Sequence, residues 1–159
     1  MHSAEVADVT REAGAYGVNA KFQSIDMSAV NKYRDGIIDR LFKGLTGLVS
    51  SKAITVVAGE GRLTGPKTIT VGGDTYTGKN LVLATGSYSR SLPGLEIGGR
   101  VITSEIALQL DFVPGKVLVL GGGVIGVEFA SIWKSFGTEV TIIEGLPHLV
   151  PNEDEALSK

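Results

Sequence analysis

Four residues decide what chemistry this chain could do: Gly121, Gly123 and Gly126, spaced as G-x-G-x-x-G, and an acid, Glu144. They lie in Lys116-Val117-Leu118-Val119-Leu120-Gly121-Gly122-Gly123-Val124-Ile125-Gly126-Val127-Glu128, and the pattern closes at Thr141-Ile142-Ile143-Glu144. Gly121 permits a tight turn, Gly123 has no Cβ to obstruct a pyrophosphate, and Gly126 lets a helix lie close on its strand. The N-terminus of that helix offers unpaired N–H groups and partial positive charge, so it favours a phosphate without needing a lysine. Glu144 stands 18 residues beyond Gly126, near the roughly 20 expected of the acid that binds the adenosine ribose 2′-hydroxyl. A carboxylate accepts that hydrogen bond and repels a 2′-phosphate, so the pattern points to NAD rather than NADP. Glycine-rich turns are common, however, and a structural βαβ unit whose glycines serve only packing is the competing reading.

The elements around the glycines are those a dinucleotide site needs. Val117 to Leu120 is a short continuous apolar run, as in a parallel strand buried on both faces. Phe129, Ile132, Trp133 and Phe136 recur at helical spacing, Gly137 can end that helix, and Val140 to Ile143 form a second β-branched strand.

Upstream, residues 4–15 read as a short helix, with Ser3 as candidate N-cap and Gly14 and Gly17 ending it. A long amphipathic helix is expected over 26–50, where Val30, Tyr33, Ile37, Leu41, Leu45 and Leu48 form one stripe and most charges lie off it. From Ile54 the grammar changes to short strands punctuated by Gly59, Gly61, Gly65-Pro66 and Gly72-Gly73, predicting an antiparallel meander over 54–77. Residues 80–85 read as another buried strand, and a connection runs over 92–115. The expected organisation is α/β: part of one Rossmann-like domain over 1–91, a linker over 92–115, and the first βαβ of a second over 116–159. That second unit stops short of the βαβαβ of a mononucleotide-binding half, and the strand at 80–85 lacks parallel neighbours. Two unfinished domains suggest a piece of a larger protein.

Composition excludes several classes. The chain has 159 residues, 43% apolar and 20% charged, with 22 glycines and a formal net charge of −2. That balance is of a globular protein, and its 15 basic residues form no dense run that would track a phosphate backbone. With no cysteine and two distant histidines, neither a disulfide framework nor a metal shell is expected. No apolar run approaches the roughly 18 residues of a membrane span, and the first ten residues carry acids where a signal peptide would be apolar. A cytoplasmic location is the expectation.

Taken together, these motifs resemble the flavin-dependent pyridine nucleotide-disulfide oxidoreductases, most closely the branch that oxidises dihydrolipoamide. His2-Ser3-Ala4-Glu5 is similar to the helix just after the family's redox disulfide, and Gly59-Glu60-Gly61-Arg62-Leu63 to the turn near the flavin's adenosine part. Leu83-Ala84-Thr85-Gly86-Ser87 with Leu92-Pro93-Gly94 resembles the strand end that approaches FAD, and Leu149-Val150-Pro151 with Glu153-Asp154 resembles the segment C-terminal to the NAD motif. Gly121, Gly122, Gly123, Val124, Ile125, Gly126, Val127, Glu128 and Glu144 match that NAD motif. The resemblance implies that Gly61, Thr85, Gly86 and Ser87 contribute to an FAD site. It also implies that Val124 lies over the nicotinamide pocket, Ile125 beside it, and that Glu128 faces the nicotinamide–flavin region. Without it, Gly61 and Thr85 to Ser87 are turn residues, Ile125 is helix core and Glu128 a solvated charge.

The resemblance further implies a homodimer that serves the lipoyl domains of 2-oxo acid dehydrogenase complexes, with electrons passing from dihydrolipoamide through a disulfide and FAD to NAD. The N-terminal FAD glycine motif, the redox disulfide and the C-terminal interface domain with its His-Glu pair are absent from these 159 residues, so no catalytic residue is expected here and the chain alone should be inactive. Mercuric and glutathione reductases share the architecture, but Val124 is small where the glutathione branch has an aromatic gate. A stand-alone NAD-binding or scaffold module is the alternative of a different class.

Overall fold

The computed structural model describes residues 1–158. Lys159, the last residue of the expected second domain, lies outside the described residues. Two compact units are present: Met1–Ile37 together with the chain from Ser91 onward, and Ile38–Arg90.

In the first unit the chain opens with α1, His2–Glu12, continued by a 3-10 turn over Ala13–Tyr16 and closed by Gly17 at φ 75°. The helix thus begins earlier and its α-helical part ends earlier than the expected 4–15. Ser3 is inside it; the N-cap is Met1, which makes no side-chain capping bond. Ala4 and Ala7 are buried. Their small side chains let α1 pack against α4, Val124–Phe136, where Ser135 Oγ donates to Asp8 Oδ2 at 2.5 Å.

The start of α2, Met27–Ser51, joins that core. Asp26 caps it, its Oδ1 accepting the Ala29 N–H at 3.1 Å, a bond typically worth about 1 kcal/mol. Met27 lies in one cluster with Ala4, Trp133 and Phe136, and the two rings meet edge to face with centroids 6.0 Å apart. Asn31 Nδ2 donates to the Leu110 carbonyl at 2.9 Å, which fastens the 92–115 connection. That connection contains one helical turn, α3, Ser104–Ala107, which its Pro-Gly composition did not signal.

The strands β4, Lys116–Leu120, and β5, Glu139–Ile143, pair in parallel from Lys116↔Glu139 to Leu120↔Ile143, with α4 as the crossover. Both strands alternate half-buried and exposed residues, with Val117 and Val119 inward and Leu118 and Leu120 outward. The expectation of burial on both faces is therefore corrected: α4 covers one face, and Leu118 and Ile143 on the other remain more than half exposed.

The second unit holds the rest of α2 and a meander of β1, Gly61–Gly65, β2, Thr68–Val71, and β3, Asp74–Thr77. Gly72 and Gly73, at φ 57° and 98°, make the two-residue turn between β2 and β3; positive φ at both positions matches the turn to the strand twist and favours glycine. The expected meander over 54–77 forms only from Gly61, because 54–58 makes no ladder. The expected strand over 80–85 does not form either. An isolated strand cannot satisfy its own N–H and C=O groups, and the sheets among the described residues are β1-β2-β3 and β4-β5. Val82 is accordingly 82% exposed.

Candidate functional site

The turn after β4 is built from three glycines with different constraints. Gly121 sits at φ 100°, a left-handed conformation that a side chain disfavours, and its N–H donates to the Ile143 carbonyl at 2.9 Å. The turn is thereby tied to the end of β5. Gly126 faces back on this turn: a Cβ there would run into the Gly121 carbonyl and stand 3.3 Å from Val119 Cγ1. It is the close helix–strand approach expected of this position. Gly123 is the N-cap of α4 at φ −71°, ψ 177°, and nothing lies within 4 Å of where its Cβ would be.

Glu144 completes the group. Its Oε2 accepts the Gly122 N–H at 2.6 Å and its Oε1 the Leu146 N–H at 2.9 Å. Gly122, foremost, and then Leu146 hold the carboxyl below its ordinary pKa, against a smaller opposing effect of desolvation, so the group is a carboxylate at neutral pH. The structure thus brings together the glycine turn, the first turn of α4 and the acid at the end of β5. Val124 and Ile125 on that first turn are 49% and 61% exposed, and Glu128 is exposed. Ile125 is therefore not helix core. Val127 is half-buried and borders a shallow groove with Val140 and Ile142 of β5, a packing position.

These residues fit a dinucleotide. The open space before Gly123 leaves room for a pyrophosphate at the start of α4, whose first turn carries no acid to repel it. The carboxylate beside that turn can accept a ribose hydroxyl.

The residues expected at a flavin are differently disposed. Gly61 begins β1, and a Cβ there would meet Ile69 Cγ2 at 3.2 Å, so its lack of a side chain serves the β1–β2 pairing. Thr85, Gly86 and Ser87 run in exposed irregular backbone, Gly86 at φ 80°. No side-chain hydrogen bond engages Thr85 or Ser87 among the described residues, so the geometry of this segment does not itself build a flavin pocket.

Sequence reasoning assigned no role to Leu149 or Val150, yet both touch the turn. The Val150 N–H donates to the Gly122 carbonyl at 2.7 Å, and a Cβ on Gly122 would strike Leu149 Cδ2. No periodicity marks two apolar residues in an irregular segment, so only their adjacency in the fold reveals the contact. Among the described residues no group of three or more acids and histidines could hold a metal, and no helix is long and apolar enough to cross a membrane.

A parallel β-α-β unit with a glycine turn and a terminal acid defines a dinucleotide-binding class, and comparison with known proteins agrees. The chain belongs to the pyridine nucleotide-disulphide oxidoreductase family, whose model matches residues 2–159. It is 38% identical over 173 residues to a dihydrolipoyl dehydrogenase of Bacillus subtilis, covering 100% of this chain and 36% of that protein. It is 37% identical to the dihydrolipoyl dehydrogenase of Mycoplasma pneumoniae, covering 99% of this chain and 36% of the relative. Among solved structures it resembles the copper(II) complex of the HOCl-induced flavoprotein disulfide reductase RclA from Escherichia coli. That match has a TM-score of 0.70 and 29% identity, and covers 86% of this chain and 32% of that one. The chain spans about a third of the length of the relatives it matches. Its α/β fold is of the type that binds FAD and pyridine nucleotides in this family.

Proposed function

We propose that β4–α4–β5 binds the adenosine and pyrophosphate portion of NAD, within a flavin-dependent dihydrolipoyl dehydrogenase. One observation carries the reading: the Glu144 carboxylate is held by the Gly122 N–H at 2.6 Å, on the same turn that opens into α4. The α4 N-terminus stabilises the pyrophosphate, Gly123 leaves it room, and Glu144 accepts from the ribose 2′-hydroxyl while excluding a 2′-phosphate by charge. Val124 and Ile125, exposed on the first turn of α4, face the remainder of the dinucleotide, and Glu128 lies one turn further along.

Bound flavin supplies two-electron transfer between thiols and the nicotinamide in this type of enzyme. In this proposal Gly61 and Thr85 to Ser87 lie on the flavin side, with a flavin part over 1–91 and a nucleotide part over 116–159, a reading supported by the match to the family over residues 2–159. Similarity to dihydrolipoyl dehydrogenases supports, for the whole protein, oxidation of lipoyl groups on 2-oxo acid dehydrogenase complexes; a homodimer in the cytoplasm completes the proposal. A reductase of related specificity is the second reading, favoured by the likeness to a flavoprotein disulfide reductase. Titration of the purified 159-residue chain with NAD and NADP by calorimetry tests the nucleotide assignment. NAD should bind with the lower Kd, and equal or absent binding of both would overturn it.

A further inference from the structure

The segment after β5 bonds to Glu144 through Leu146 and then returns to the glycine turn, closing on it at Leu149 and Val150. Glu144 Oε1 accepts the Leu146 N–H at 2.9 Å, the Gly122 carbonyl accepts the Val150 N–H at 2.7 Å, and Leu149 Cδ2 fills the space where a Gly122 side chain would be. Ser158 Oγ in turn donates to the Leu149 carbonyl at 2.6 Å and fixes the far side of the segment. Val150 adopts φ 42°, a conformation a β-branched residue avoids unless its surroundings impose it. Gly122 itself is buried, although the glycines on either side of it are exposed. Its missing side chain therefore makes room for this segment rather than for a ligand.

We propose that residues 146–150 form a strap that pins Gly122 with its N–H directed at Glu144, making Leu149 a positioning residue for the acid that selects the ribose. The purpose assigned to the strap rests on the NAD reading above; the strap itself does not. Both bonds that orient the Glu144 carboxylate come from backbone N–H groups at the two ends of this arrangement, Gly122 and Leu146. No side-chain cation pairs with Glu144 among the described residues, so its orientation depends on how firmly those two backbone groups are held. Of the two side chains that face Gly122, Leu149 and Glu144 itself, Leu149 comes nearer to where a Cβ would stand.

The test compares the 159-residue chain with Leu149→Ala and Leu149→Met, reading amide hydrogen exchange by NMR and the ratio of Kd for NADP to that for NAD. Leu149→Ala should speed exchange of the Gly122 N–H by about tenfold while leaving the Gly121 N–H, bonded to Ile143, protected. It should also narrow the nucleotide ratio, and Leu149→Met, which conserves volume, should restore both readouts. If Gly121 and Gly122 accelerate together, the substitution merely loosens the turn and the strap is overturned. Unchanged exchange at Gly122 overturns it as well, whatever the nucleotide ratio does. Faster exchange at Gly122 alone, in a chain whose unaltered form binds neither nucleotide, upholds the strap and overturns the NAD reading. Should Leu149→Ala not fold, Leu149→Val removes less volume and must show the same selective acceleration in smaller degree.

Discussion

Glu144 and Gly122 are 22 residues apart in sequence and joined by a 2.6 Å hydrogen bond from the glycine N–H to the carboxylate. The bond makes the acid at the end of β5 and the turn at the end of β4 one structural unit. A βαβ whose glycines served only packing would not need an acid aimed at its turn. Here the acid is charged, oriented by two backbone donors and placed beside the open N-terminus of α4.

Added side chains should cost Gly126 mainly stability and Gly123 mainly affinity. A glycine in a helix usually gains roughly 0.5–1 kcal/mol of stability when replaced by alanine. At Gly126 the new Cβ would meet the Gly121 carbonyl, which is backbone and cannot swing away, so strain on the order of 1–3 kcal/mol outweighs that gain. Gly126→Ala should lower the urea midpoint. An unchanged or raised midpoint would show that α4 can move off its strand without loss.

Gly123→Val meets nothing in the fold and should leave the urea midpoint within the modest loss expected from a poorer N-cap, up to about 1 kcal/mol. Its branched side chain occupies the space before the helix, so affinity for NAD and NADP should fall together with little change in their ratio. Undiminished affinity for both would remove the pyrophosphate from this position.

The pH dependence has a definite sign. Hydrogen bonds from Gly122 first, and then Leu146, place the folded pKa of Glu144 below its unfolded value. The stability it contributes is therefore fully present above the ordinary glutamate range, near 4.3, and is lost as pH falls through the lowered folded value. A carbon-13 titration of the Glu144 carboxyl should show a midpoint below that of an unstructured glutamate, and Glu144→Gln should flatten the acid limb of the thermal stability profile. A midpoint at or above the ordinary value would mean that the two N–H bonds are not kept in solution.

The 159-residue chain should show no dihydrolipoamide:NAD turnover and should purify with less than one equivalent of flavin. Dithiol–disulfide exchange requires a protein disulfide, and the chain has no cysteine. Stoichiometric flavin absorbance would show that Gly61 and Thr85 to Ser87 belong to a more complete site than their exposed backbone suggests.

The parts of the fold that could be read from sequence are those whose signals are local. Gly121 and Gly126 each answer to a steric demand of their own turn, and Trp133 and Phe136 to the period of their own helix, so β4, α4 and β5 are legible directly. Residues 80–85 carry an equally strong apolar pattern, but a strand exists only with a neighbour to pair with, and no sequence pattern reveals whether that neighbour is present. The packing of Ala4 and Ala7 on α4 was hidden for a similar reason: small residues on a short helix permit close approach without naming the partner. Leu149 and Val150 stand out in the sequence only through the family resemblance, because an irregular segment has no periodicity from which their contact with Gly122 can be inferred.

The central claim is that Glu144 selects NAD, and Glu144→Arg tests it most directly. The substitution removes a charge-assisted hydrogen bond to the ribose and supplies a partner for a 2′-phosphate. The unaltered chain should bind NAD more tightly than NADP by calorimetry. In Glu144→Arg, affinity for NAD should fall on the order of tenfold to a hundredfold and the preference should narrow or invert. An unchanged ratio of the two Kd values in Glu144→Arg would contradict the account, leaving the glycine turn and its acid as packing elements of a structural βαβ unit.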